Sequence, residues 1–99
     1  MARRFADLVE RQLALFTEEH AGLIHDVDAA LATYNRAPRE EAEERYGDYL
    51  DLVETATDEL GDLRDAYAST LEGEAADEYR NAFNDFVRRR LPHFGLELE

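Results

Sequence analysis

Apolar side chains recur at Ala6, Val9, Leu13, Phe16, Leu23, Val27, Ala30 and Tyr34, and His20 takes the one remaining place in that series. The steps alternate three and four residues. The rhythm resumes at Ala42, Tyr46, Tyr49, Val53, Ala56, Leu60, Leu63 and Tyr67. Such spacing lays one apolar seam along a helix and suits burial against a second helix. A half-buried strand would alternate every second residue instead. The chain is therefore expected to be all-α.

The breaks between these runs are also readable. The first helix is expected over residues 3–35, and Asn35-Arg36-Ala37-Pro38 forms the turn. Proline pre-sets the first turn of the next helix, and Glu40 and Glu41 suit its positive end. This second helix is expected over 38–71, closed by Glu72-Gly73, since glycine is the usual left-handed cap. A third helix is expected over 74–91, with Ala76, Tyr79, Phe83, Phe86, Val87 and Leu91 on its apolar face. Acids open it and Arg88-Arg89-Arg90 close it, each sign at the dipole end it favours. Pro92 ends it. The alternation of apolar and acidic residues over 92–99 predicts an extended strip.

Two helices of similar length joined by a short turn should lie antiparallel. Aligned from the turn, Tyr34 falls beside Arg39, Leu23 opposite Tyr49, His20 opposite Val53, Phe16 opposite Ala56 and Leu13 opposite Leu60. The third helix is shorter and starts where the second ends, so it should cover only that end. Phe5, Leu8 and Leu15 lie off the seam in the first half of the first helix, where a covering helix would need them. The turn half carries Leu23, Ile24, Val27, Leu31, Tyr34, Tyr46, Tyr49 and Leu50 with no third helix to meet them. The expected architecture is a long antiparallel hairpin with a shorter third helix, a three-helix bundle that dimerises into a larger bundle through those eight residues. The expected function is association, as a homodimer or as an adaptor for another protein.

Composition narrows the partners. The chain has 99 residues, enough for one domain. Its 24 acidic residues outnumber 11 basic ones, all arginine, for a net charge of −13. A duplex or an anionic membrane would be repelled by such a surface. High-salt adaptation and a GC-rich genome both produce acidic, lysine-poor chains; the plentiful Leu and Phe favour the second. No cysteine is present, so disulfides and thiolate metal sites do not arise. No apolar run approaches the roughly 18 residues of a membrane span. Asp7 and Glu10 close behind the start do not fit a signal peptide, and a cytoplasmic location is expected.

Signals for chemistry are sparse. His20 is the polar residue in the first helix's seam, and a neutral core histidine bonded to one neighbour is the expectation, with the Tyr49 hydroxyl one layer away as a candidate partner. The alternative function is a small-ligand or metal-binding bundle centred on His20, with His93 as its second ligand. Carboxylate-bridged metal bundles need inward Glu and Glu-x-x-His motifs, and neither seam offers them. No cofactor is expected. Ser69 is the sole serine, no Gly-x-Ser-x-Gly or phosphate-binding glycine loop occurs, and an enzyme is not expected. Glu41, Glu44, Asp48, Asp51, Asp58, Asp62 and Asp65 form an acidic stripe opposite the second seam, read as a solvated face. The length and hairpin resemble small WXG-type helical proteins. The Trp-x-Gly turn of that family is missing here, and nothing carries over from it.

Overall fold

A computed structural model describes residues 4–95. Among them the chain is all-helical: α1 Ala6–Glu19, α2 Ala21–Arg36, α3 Arg39–Ala68, α4 Gly73–Arg90 and α5 Pro92–Gly95. The molecule measures 50 × 24 × 22 Å. Its length is set by α3, whose 30 residues extend about 45 Å at 1.5 Å per residue.

The first long helix is not continuous. It breaks at His20, whose backbone angles (φ −115°, ψ 31°) leave the helical range. The break is a kink and not a loop. The His20 N–H still donates to the Phe16 carbonyl (2.9 Å), and the Ile24 N–H to the His20 carbonyl (3.0 Å). Three local features favour a break here. An imidazole in an apolar seam is costly to bury without partners. Glu18 and Glu19 place negative charge at the negative end of α1. Gly22 weakens the next turn, and a Cβ there would meet open space.

The kink redirects packing. α2 stays close to α3, while the closest inter-helix approach of α1 beyond α2 is to α4. Arg4 reaches Glu78 (3.1 Å) and Arg90 reaches Glu10 (2.6 Å), so α1 and α4 run in the same sense. The rings of Phe5 and Tyr79 meet edge to face at 5.6 Å. α3 runs opposite to both, with Arg64 donating to Asn84 (3.1 Å) and Tyr67 against Tyr79 (4.8 Å). These exposed ion pairs add little energy, but they fix the register. The Arg64 hydrogen bonds to Asp65 hold that carboxyl below the usual carboxylate range.

One core joins the helices: Val9, Leu13 and Phe16 from α1, Val27 from α2, Val53, Ala56, Leu60 and Ala68 from α3, and Tyr79, Phe83 and Val87 from α4, with Phe94 from α5. Burying each large side chain contributes about 1.5–3 kcal/mol. From Asp28 to Leu52 no residue is buried, so the turn half of the α2–α3 hairpin is thinly covered, in line with the shortness of the third expected helix.

Helix ends differ in detail from expectation. α3 stops at Ala68, short of 71. The hydroxyls of Ser69 and Thr70 bond back to the carbonyls of Ala66 and Tyr67 (both 2.7 Å) and terminate it. Gly73 takes the left-handed φ of +55° at the junction with α4. Over 92–95 the tail is a helical turn and not an extended strip, because Phe94 buries itself in the core (1% exposed). Residues 96–99 of that expected strip, and residue 3 of the first expected helix, lie outside the described residues.

Candidate functional site

Two loci hold the residues that sequence reading singled out. The first is the kink. Splaying α1 from α3 opens a groove of about 330 Å³ between them. Its floor is Leu15, Phe16 and Leu63; Gln12, Glu19, His20, Glu59 and Asp62 complete the lining. Leu15 was expected to meet the covering helix. It is instead 51% exposed, because the kink turns its side of α1 toward the groove. His20 does not bond to Tyr49. Its ring stacks on Phe16 at a centroid distance of 4.5 Å and a tilt of 30°, half-buried at the groove edge. The Gln12 side chain is held by the Tyr79 hydroxyl, which donates to Oε1 at 2.7 Å. Tyr79 itself is fully buried, and burial pushes its phenol up to about 12.

The second locus is the face of the α2–α3 hairpin where α5 lands. The aromatic rings form a continuous run. Tyr34 lies against Tyr46 (5.0 Å), Tyr46 against Tyr49 (6.0 Å), Tyr49 against His93 (5.9 Å) and His93 against Phe94 (6.0 Å). Tyr34 thus reaches Tyr46 across the hairpin. His93 bridges two helices: Nδ1 lies 3.0 Å from the Tyr49 hydroxyl, and Nε2 lies 3.2 Å from Asp28 Oδ1. One neutral tautomer satisfies both contacts, with Tyr49 donating to Nδ1 and Nε2–H donating to the carboxylate.

Carboxylate, imidazole and hydroxyl stand in series here, Asp28 to His93 to Tyr49. Burial, then the nearby Tyr46 and Asp28, push the Tyr49 phenol up. The arrangement ties α5 to α2 and α3 through His93. His20 borders the α1–α3 groove. Among the described residues no group of three or more His, Asp or Glu side chains is placed to hold a metal ion. No helix among them is long and apolar enough to cross a membrane.

The eight residues expected at an interface divide by burial. Val27 is fully buried within the chain. Leu23, Ile24 and Tyr49 are half-buried and pack on the core. Leu31 and Tyr34 are half-buried in the turn half. Tyr46 and Leu50, one turn apart on α3, are the most open, at 44% and 42%.

Sequence reading passed over Asp28, Glu19 and Glu59. Asp28 had a usable signal. It sits one turn after Ile24 and one turn before Leu31, an acid beside the apolar strip. No family model, curated protein or solved structure matches this chain.

Proposed function

We propose that the protein works by association with another protein chain, in the first instance a second copy of itself, and not by catalysis. The observation that carries this reading is the pair Tyr46 and Leu50, exposed side by side on a hairpin half with no buried residue of its own. Tyr34 and Leu31 extend the patch across α2. Tyrosine suits such a surface because it buries a large area and keeps a polar tip. Two hairpins facing through this patch would make a four-helix layer around a two-fold axis, completing the three-helix arrangement at the other end into a larger bundle. Leu23, Ile24, Val27 and Tyr49 would support the contact from beneath. An adaptor role uses the same patch with a different chain.

The test is sedimentation velocity across a dilution series from about 100 μM to 1 μM, the range in which modest interfaces dissociate. A dimer that Tyr46→Glu and Leu50→Glu each convert to monomer without loss of helicity supports the homodimer. A wild-type monomer at the highest concentration removes it.

A further inference from the structure

The geometry points to the α1–α3 groove beside His20 as a docking site for a basic, amphipathic helical segment of a partner protein, anchored by apolar side chains and flanked by arginine or lysine. This surface is separate from the Tyr46–Leu50 patch and does not depend on it.

The floor supplies the anchor pocket. Leu15 is half-exposed, and it lies with Phe16 and Leu63 between two helical walls. About 330 Å³ sits at the small end of ligand pockets, which run from roughly 300 to 1,000 Å³. That is room for a pair of anchor side chains, with the rest of a helix riding above. A gap between two helices is the usual seat for the ridge of a third. α4 meets α1 at Phe5, Glu10 and Gln12 and contributes no residue to the groove lining.

The rim selects the charge. Glu19, Glu59 and Asp62 border the groove, and no cation pairs with any of them among the described residues. Carboxylates around an apolar floor complement a segment with cationic residues flanking its anchors. Gln12, pinned by Tyr79, adds a fixed polar group at one end. A second copy of this chain is a poor occupant. Each copy carries −13, and its basic α4 terminus is already engaged: Arg88 pairs with Asp85, Arg90 with Glu10, and Arg89 lies over Phe86.

The probe is a fluorescein-labelled 15-residue peptide with leucine at helical three- and four-residue spacing and arginine on its other face. A scrambled peptide of the same composition controls for bulk charge. The expected result is binding at least about tenfold tighter than the scramble, with amide shift changes centred on Leu15, His20 and Leu63. Leu15→Ser and the pair Glu59→Gln with Asp62→Asn should each weaken binding several-fold, while circular dichroism stays unchanged. Equal affinity for the scramble overturns the proposal. So do shifts confined to the part of the acidic stripe away from the groove, Glu41 to Asp51, or affinity indifferent to Leu15→Ser in a folded variant. Self-association abolished by Leu15→Ser would assign the groove to a second copy instead and would overturn the partner identified here. Tyr46→Glu should leave peptide binding intact, which separates this result from the dimer test.

Discussion

The Tyr49 hydroxyl lies 3.0 Å from His93 Nδ1, across 44 residues of chain. This bond, the Asp28 contact and the burial of Phe94 together close α5 over the hairpin. Their sizes differ. Tyr49→Phe removes one part-buried hydrogen bond and should cost about 1 kcal/mol. Phe94→Ala removes a fully buried ring and should cost about 3 kcal/mol. Urea denaturation of both variants measures the two losses. If Tyr49→Phe proves the larger, α5 is held by its polar contacts and not by its ring.

Tyr79 makes stability depend on alkaline pH. A phenol ionises near 10 in the unfolded chain and near 12 in this fold. The unfolded chain therefore releases its proton first as pH rises. The stabilisation is complete below about pH 10 and is lost as pH climbs toward 12, amounting to about 2–3 kcal/mol over that window. Tyr79→Phe should flatten that part of the stability–pH curve. The chain lacks tryptophan, so ultraviolet titration follows its five tyrosines directly. Two should ionise late, Tyr79 and the less shifted Tyr49. Five simultaneous ionisations would contradict the burial.

Thr57 is the reverse case, a buried hydroxyl with no hydrogen-bond partner among the described residues. Thr57→Val keeps the branched shape and the helical rotamer restriction while removing the stranded group. The variant should be about 1 kcal/mol more stable, read from its urea midpoint. A loss of stability would show that the hydroxyl is satisfied by water.

The seam made the helices legible. Val9, Leu13 and Phe16, and likewise Val53, Ala56 and Leu60, are buried where the repeat places them. Periodicity reports which face is apolar, not whether the axis stays straight. The kink at His20 was therefore visible only as the polar residue out of place in the series, and Leu15 moved to the groove with it. The α5 turn escaped because period-two alternation in a short tail carries no information about a single aromatic anchor. Phe94 finds the core, and the backbone follows it. Asp28 needed tertiary contact to acquire meaning, since its partner lies on the tail. The groove has no sequence signature, because it results from two helix axes diverging.

Local stability should follow coverage. The half of the molecule containing Val9–Phe16 and Val53–Leu60 packs α1 and α3 against α4, whereas the turn half, beyond the α5 contacts at Asp28 and Tyr49, has only α2 against α3. Opening free energy tracks buried contacts. Amides over residues 8–16 and 56–63 should therefore exchange slowest, and those over 30–34 and 42–46 faster. If the protein pairs through Tyr46 and Leu50, dilution should accelerate exchange at the turn half selectively, because only that half loses cover. Leu15→Asp provides the internal control. Leu15 borders an open groove, so the variant should fold with an unchanged exchange pattern. Collapse of the slow amides in that variant would mean that Leu15 packs on α4 after all and that the kink is absent in solution. Uniform protection along the hairpin, in a proven monomer, would equally show that something covers the turn half, and the exposed patch on which dimerisation rests would not exist.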